Sequence, residues 1–303
     1  MQKPSSSGVS VVVVTYDGLP YLEPCLESVA GHETVVVDHG STDGTLELVR
    51  ERFPAVRLFE QENRGLAAGW NRGIAETGSR YILLLNSDAW VEEGAIERLV
   101  AFADDRVDAA VVGPRLVNPD GSLQPSVRAF PTMWRLATEY FGLRKLAPRS
   151  RALNEFYGGG FDHDSVRDVD FIKASCLLVR RRAVEEVGPA DESFFLFSEE
   201  VDWCYRFRRA GWRVVFFPGA EVVHVGGATW RREFDLGFRE QLRGHIRFFA
   251  KHRSLREAER VRRLLIAGLR VRSWLLPSRR STYREAAGWL ASSSAATLLE
   301  SSR

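Results

Sequence analysis

Five short aliphatic runs, SVVVVT (10–15), TVVVD (34–38), VRLF (56–59), YILLLN (81–86) and AAVVG (109–113), constrain this chain more than any other feature. Between them, apolar residues recur at helical spacing over about 20–30, 44–52, 66–77 and 93–103. Runs that are apolar at nearly every position cannot keep one face in water, so they belong in a sheet covered on both sides by the intervening helices. The alternation predicts an α/β fold with a doubly wound, mostly parallel sheet and flanking helices. Such sheets bind ligands outside the carboxyl ends of their strands. Here those ends carry TYDG (15–18), DHGSTDG (38–44) and NSD (86–88), and a common site is implied.

After residue 114 the pattern changes. NPDG (118–121) signals a turn, and PTMWRLATEYFGL (131–143) has the spacing of a short amphipathic helix. EFYGGGFDHD (155–164) reads either as a lid over an acceptor or as a plain connector. Two further apolar stretches, VDFIKASCLLVRR (169–181) and GWRVVFF with AEVVHVGG, flank FFLFSEEVDWCYRFRRAGW (194–212).

At 303 residues and 45% hydrophobic composition, the chain is long enough for one large or two modest domains. The expected division is a domain over 1–230, with halves at about 9–118 and 119–230, and a basic helical region over 231–303. No segment approaches the roughly 20 apolar residues of a membrane span, and the apolar run after MQKPSSSG is too short for a secretory signal. The expectation is therefore a cytoplasmic chain, or one lying on the inner face of the cell membrane. Cys25, Cys176 and Cys204 lack metal-binding spacing and read as small buried hydrophobes in a reducing compartment.

The net charge of +2 conceals an asymmetry: from Arg231 onward there are 17 Lys/Arg against 7 Asp/Glu, which leaves 25 against 33 before it. In this basic tail Leu242, Ile246, Phe249, Leu264, Leu265, Leu269, Trp274 and Leu275 recur near helical spacing with arginines between them. Such a pattern suits a membrane surface or, equally, a packed helical hairpin or a homodimer contact. No nucleic-acid motif accompanies the charge, so nucleic acid is not an expected partner.

Taken in order, TYDG, VVVDHGSTDGT, NRGLAAGWNRGI, LLLNSDAW, FLFSEEVDWCYRFRRAGW and VVHVGG resemble the glycosyltransferases of family 2, over about residues 9–230. The resemblance implies a GT-A, Rossmann-like nucleotide-binding fold. It also implies an inverting sugar transfer from a nucleotide-sugar with a divalent metal, Mn²⁺ or Mg²⁺. The EEVDW form and the basic tail look most like bacterial rhamnosyltransferases of cell-wall or O-antigen polysaccharide synthesis. The implied donor is a dTDP- or UDP-sugar, with rhamnose as first choice, and the implied acceptor is a glycan or a polyprenyl-linked glycan. A catalytically degenerate binding or scaffolding subunit is the alternative. A sugar nucleotidylyltransferase would need a Gly-rich basic loop after the first strand, which TYDG does not provide.

Such a transfer needs a base site, a diphosphate clamp and a general base for the acceptor hydroxyl. Thr15 and Tyr16 stand where a hydroxyl and a ring would meet a flat base, Asp38 has the chemistry to accept from a pyrimidine imide N–H, and Ser41 joins them as a nucleotide-sugar contact. Against this, Asp38 and Ser41 would equally cap the helix starting near Gly44. His39 departs from the asparagine usual in the family. In the 63–73 segment, Asn63 and Asn71 are candidates for hydrogen bonds to the nucleotide or to the loop beside it, and Gly65, Gly69 and Gly73 let a helix approach the sheet or the nucleotide closely, with Gly65 counted among the nucleotide-sugar contacts.

Asp88 leaves a hydrocarbon strand at the sheet's edge and suits a cation that also holds phosphates and water. The family's D-x-D is here Asn86-Ser87-Asp88, which leaves Asn86 a neutral contact to sugar or ribose. A lone His224 in an apolar strand is ordinarily a core residue; the resemblance implies that it completes the metal site. Glu199, Glu200 and Asp202 would gain from a helix dipole if Ser198 caps a helix. On that helix Glu199 and Asp202 share a face, while Glu200 points about 100° away. The family's E-D-x-D pattern implies that its second acid, here Glu200, is the general base. Glu199 and Asp202 then become supporting or acceptor-binding groups, Asp202 being also the second choice for the base, with Trp203 a platform for an acceptor sugar or a core residue.

Overall fold

The computed structural model describes residues 8–226 and 234–300, so the boundary expected at 230/231 lies outside the described residues. The described residues group into two compact units. The first draws on residues 8–127, 162–195 and 200–226, the second on 128–161, 196–199 and 234–300.

In the first unit β1 (Val9–Thr15), α1 (Leu19–Ser28), β2 (Glu33–Asp38), α2 (Thr45–Arg52), β3 (Arg57–Glu60), α3 (Leu66–Ala75) and β4 (Tyr81–Asn86) alternate as the sequence predicts. They are followed by β5 (Ala89–Val91), α4 (Ala95–Asp105) and β6 (Ala109–Val117), then β7 (Val127–Arg128), where the unit ends. After an interval the chain returns through β8 (Arg167–Asp168), β9 (Phe171–Ile172), β10 (Cys176–Arg180), α7 (Arg181–Val187), α8 (Glu199–Arg209) and β11 (Arg213–His224). The main sheet runs in the order β3-β2-β1-β4-β10-β6-β11-β5, with β8 beside β11. Pairings among β1, β2, β3 and β4 are parallel, whereas β10 lies antiparallel to both β4 and β6. Val11, Val13, Val36, Leu83 and Leu85 are at most 2% exposed, which is why these strands read as unbroken aliphatic runs.

Register decides where the chemistry sits. Thr15 pairs with Asp38 and Val14 with Asn86, so three polar strand ends finish level at the carboxyl edge. RVVFF and AEVVH belong to one strand, β11, whose register with β6 shifts between Phe217 and Glu221. Pro218 and Gly219 occupy the irregularity, since proline cannot donate to a ladder. Beyond it β11 turns against β5, with His224 opposite Ala89.

In the second unit α5 (Met133–Tyr140), capped by Thr132, and α6 (Leu143–Leu146) precede a short 3₁₀ turn at Glu155–Tyr157. The basic region forms α9 (Phe234–His252), α10 (Leu255–Leu275), α11 (Arg280–Ala291) and α12 (Ala295–Glu300). Most of the apolar stripe read from the tail is spent internally: Leu242, Ile246, Leu265 and Leu269 are fully buried and Phe249 nearly so. Gly268 lets α10 meet α5 closely, because a Cβ there would stand 2.7 Å from that of Tyr140. Arg272 then donates to the last carbonyls of α5, at Glu139 (2.5 Å) and Tyr140 (3.0 Å), and to the Glu139 carboxylate at 2.8 Å. A cation at a helix C-terminus is favourable for its dipole. Trp274 and Leu275, 76% and 53% exposed, are the part of the stripe left outside.

Candidate functional site

The loop after β2 is built by Asp38. Its Oδ1 accepts from the amides of Gly40 (2.9 Å) and Ser41 (2.8 Å), and its Oδ2 from the Ser41 hydroxyl (2.5 Å). The α2 cap position is Gly44, with no side-chain cap, so Asp38 organises a tight turn rather than the helix start. Fully buried, this carboxylate shapes the strand-end surface from beneath. Ser41 Oγ in turn accepts from the Asp17 amide (2.8 Å), and Asp17 Oδ1 from the Thr42 amide (2.7 Å), which ties the loop after β1 to the loop after β2. Asp17 itself has a left-handed backbone, φ 46°. Thr15 Oγ1 is buried and finds no partner among the described residues, so a polar atom stands in reserve at the strand end. Tyr16 beside it is half-buried.

His39 is 5% exposed and approaches Gln61, with Nε2 3.1 Å from the amide nitrogen. Burial pulls its pKa below the ordinary value, opposed by hydrogen bonding to Asn63 and the charge of Asp38. The imidazole therefore stays neutral near pH 7.

In the 63–73 segment the asparagines bond to neighbouring loop backbone, one of the two tasks open to them. Gly65 has φ 94° and ψ 165°, and a Cβ there would lie 2.3 Å from the Phe195 carbonyl oxygen. Arg64 pairs with Glu192 at 2.6 Å, and the Asn71 amide bonds both ways with Ala190 and also reaches Glu192. Asn63 turns inward onto the Gly65 amide at 3.2 Å. Gly69 and Gly73 bring α3 down on Val14 and Val12 of β1, where added Cβ atoms would come within 2.6 and 2.3 Å. The segment thus grips the 190–195 loop that leads into α8, and Asn71 is committed to that grip.

Across α8 the acids separate by environment. Glu199 is 2% exposed and Asp202 0%, and Asp202 is held by Arg206 at 2.8 Å. Arg206 also donates to the carbonyls of Val187 and Pro189. Glu200, at 9%, is the most accessible of the three. Ser198 does not have the extended backbone of an ordinary N-cap: Phe197 and Ser198 adopt φ 64° and 77°. Two consecutive left-handed side-chain-bearing residues cost about 1–3 kcal/mol each, a strain that clusters at functional sites. Of the two readings of Trp203, platform for an acceptor sugar or core residue, its burial fits the core residue. It is 1% exposed, donates to the Gly188 carbonyl at 3.0 Å and stacks on Trp70, so no ring face is open to a ligand.

Asp88 and His224 meet. The β5–β11 pairing sets them side by side, the Val225 amide donates to the Asp88 carbonyl at 3.0 Å, and His224 Nε2 lies 3.2 Å from Asp88 Oδ1. Both side chains are mostly buried, 10% and 14% exposed. Gln124, which no sequence motif marks, contacts His224 Nδ1 at 2.7 Å. It arrives there because the 118–121 turn folds the chain back so that the Gln124 amide bonds to the Leu116 carbonyl, level with β11. Asn86, half-buried at the end of β4, is fixed through its backbone by Ser175 and Cys25. All three cysteines are free and buried, and burial pushes their thiols up.

His163, within the glycine-rich segment, is 1% exposed; it accepts from the Val127 amide and its carbonyl from Arg115. That end of the segment is anchored, while Gly158, Gly159 and Gly160 all have positive φ.

Among the described residues no group of three or more His, Cys, Asp or Glu side chains is gathered as a metal cage. One carboxylate and one imidazole, 3.2 Å apart, nevertheless fit two neighbouring positions on a six-coordinate ion, which at bond lengths of roughly 2.1 Å stand about 3 Å apart. An ion held by so few side chains keeps positions for phosphate oxygens and water.

Known proteins resemble the chain in sequence and in fold. The profile of glycosyl transferase family 2 matches residues 10–188. The N-acetylglucosaminyl-diphospho-decaprenol L-rhamnosyltransferase of Mycobacterium tuberculosis is 34% identical over 231 residues, 71% of this chain and 75% of its own. The low-salt glycan biosynthesis hexosyltransferase Agl10 of Haloferax volcanii is 23% identical over 83% of this chain and 78% of its own. Among solved structures, the mannosyltransferase PcManGT of Pyrobaculum calidifontis, with GDP-Man and Mn²⁺, superposes with a TM-score of 0.54 at 17% identity. That match covers 99% of this chain and 86% of that one. GalNAc-T7 with UDP, GalNAc and Mn²⁺ gives 0.56 at 16% identity, over 80% of this chain and 47% of that longer one.

Proposed function

Because the chain belongs to glycosyl transferase family 2, we propose that it moves a sugar, rhamnose as first choice, from a dTDP- or UDP-sugar to a polyprenyl-linked glycan acceptor, inverting the anomeric carbon. The observation that carries this reading is the Asp88–His224 pair at the sheet's carboxyl edge, in a chain whose rhamnosyltransferase relative is 34% identical.

In this reading the strand ends divide the donor between them. The β1 and β2 loops, cross-tied through Ser41, Asp17 and Thr42, receive the nucleoside, with Thr15 Oγ1 and the Tyr16 ring beside it. Asp38 holds that surface in shape through the turn it organises. Asn86 lies where the ribose or sugar passes, and Asp88 and His224 face the diphosphate. A divalent cation bound by these two, Mn²⁺ or Mg²⁺, supplies positive charge for the departing nucleoside diphosphate.

Glu200 is the general base. It takes the proton of the acceptor hydroxyl as that oxygen attacks the anomeric carbon and the bond to the diphosphate breaks. Of the three acids on α8 it is the most accessible, whereas Asp202 is spent on Arg206 and Glu199 is buried. The grip of Gly65, Arg64 and Asn71 on the 190–195 loop gives the helix that carries it a firm approach.

The acceptor class brings a membrane surface with it. Among the described residues no helix is long and apolar enough to cross a membrane. Trp274 and Leu275 are exposed at the end of α10, in a stretch with no acidic residue between Arg260 and Arg284. An aromatic and an aliphatic side chain among arginines suit peripheral contact with anionic lipid on the cytoplasmic face, where each cation contributes about 1 kcal/mol.

The deciding experiment is nucleotide release and product formation from a panel of dTDP-, UDP- and GDP-sugars with a polyprenyl-diphosphate-linked N-acetylglucosamine acceptor and Mn²⁺ or Mg²⁺. Acceptor-dependent release from a pyrimidine nucleotide-sugar supports the reading. Nucleotide binding without turnover on any donor would replace it with a binding subunit.

A further inference from the structure

The amide of Gln124 is oriented by what surrounds it. Its Nε2 lies 3.0 Å from the His224 main-chain carbonyl and 2.8 Å from Asn118 Oδ1. A main-chain carbonyl only accepts, so the group facing it is the NH₂. The Asn118 orientation agrees, since its own Nδ2 donates to Ser122 Oγ at 2.9 Å and leaves Oδ1 as the acceptor. Gln124 Oε1 is therefore the atom 2.7 Å from His224 Nδ1, and it can only accept. Nδ1 must carry the proton, which leaves Nε2 of the neutral ring with its lone pair on the Asp88 side.

Without Gln124 a different arrangement is favoured. Nε2 is 3.2 Å from Asp88 Oδ1, so the ring's proton has a carboxylate waiting for it there. A neutral imidazole protonated at Nε2 would donate to Asp88 and tie up both side chains at once. Gln124 and Asp88 thus compete for one proton, and the hydrogen bond at the far nitrogen decides which nitrogen keeps a lone pair.

We propose that Gln124 is a positioning residue that holds the His224 proton on Nδ1, and so keeps Nε2 and the Asp88 carboxylate open together to a divalent cation. Gln124 touches neither donor nor acceptor in this role; it acts through His224. The part concerning the cation rests on the metal-assisted reading above, while the part concerning the proton does not.

The test uses the full-length protein, wild type and the variants Gln124→Met and Gln124→Glu, with two readouts. The first is the ¹⁵N shift pair of His224 in metal-free protein, recorded on the high-pH plateau where the pair no longer changes. Wild type and Gln124→Glu, which retains an acceptor, should show the Nδ1–H form, and Gln124→Met the Nε2–H form. The second is the affinity for Mn²⁺ alone, by electron paramagnetic resonance. It should weaken about 10–100-fold in Gln124→Met and recover most of that loss in Gln124→Glu. A merely structural role would lower the melting temperature of both variants and leave the tautomer unchanged. An Nε2–H ring in the wild type, or equal Mn²⁺ affinity in wild type and Gln124→Met, overturns the proposal. Wild type that holds its proton on Nδ1 yet binds no Mn²⁺ overturns the metal part and the metal-assisted reading with it, and leaves the tautomer assignment standing.

Discussion

His224 Nε2 and Asp88 Oδ1 stand 3.2 Å apart although 136 positions separate them in the chain. The β5–β11 pairing, with His224 opposite Ala89, makes them neighbours. A carboxylate and an imidazole at that separation, at the carboxyl edge of a sheet, are the pair on which the proposed metal-assisted transfer rests.

Asp88→Asn keeps the side chain's size and removes its charge. Mn²⁺ affinity should fall by more than the roughly 10–100-fold that an outer partner is worth, and sugar transfer with it, while the melting temperature changes little. Electron paramagnetic resonance titration of Mn²⁺ reads the outcome; unchanged affinity would remove Asp88 from the metal site.

For Glu200→Gln the expected loss is about 10²–10⁴-fold in kcat, the range of general base catalysis. Donor nucleotide affinity, measured by calorimetry, should stay within a few-fold of wild type. Transfer at the wild-type rate would move the base elsewhere, and Asp202 would not be the replacement, because Arg206 already neutralises it.

Gly65→Ala tests the grip on the loop before α8. The backbone at φ 94°, ψ 165° is open to little besides glycine and costs about 1–3 kcal/mol with a side chain. The added Cβ would also press on the Phe195 carbonyl oxygen. A lower melting temperature together with a fall in kcat is expected, and stability lost with kcat untouched would show that the grip does not reach Glu200.

His245 makes the second unit sensitive to acid. Burial lowers its pKa to about 4, against some opposition from the Glu139 carboxylate, and it packs edge-on to Tyr140. Its folded value lies below the unfolded one, so between about 6.5 and 4 the unfolded chain binds the extra proton. Stability from this group is therefore full above that window and lost as pH falls through it, by up to a few kcal/mol. Urea melts of wild type and His245→Phe at pH 7 and pH 4.5 should show a smaller acid-induced loss in the variant. An identical loss in both would assign the effect elsewhere.

The double variant Trp274→Glu/Leu275→Glu should lose sedimentation with vesicles containing phosphatidylglycerol and retain turnover on a soluble acceptor. Vesicle binding equal to wild type would reject the α10 end as the contact.

Much of the fold was legible in the chain itself. The five aliphatic runs appear as β1, β2, β3, β4 and β6, displaced by no more than one residue at their ends except that β6 runs on to Val117, because strands buried on both faces leave little freedom in pattern. The polar strand ends were legible for the same reason: hydrophilic residues directly after such runs have nowhere to go but the sheet's edge. The antiparallel insertion of β10 between β4 and β6 was not legible, since an aliphatic run carries no mark of direction. Nor was the single bulged strand β11, whose Pro-Gly interruption reads locally as a turn.

What the sequence determined by itself was the family and the candidates for its chemistry: acids, an asparagine and a histidine placed by motif at strand and helix ends. Tertiary structure alone decided how those candidates are employed, because burial and hydrogen-bond partners depend on residues far away in the chain. It put Asp38 under a turn, committed Asn71 to the 190–195 loop, closed Trp203 into the core and bound Asp202 to Arg206. It also brought Gln124, 100 residues distant and marked by no motif, onto the far nitrogen of His224. Local pattern reports which groups a chain owns; the competition for each proton and each lone pair is settled only where distant strands meet.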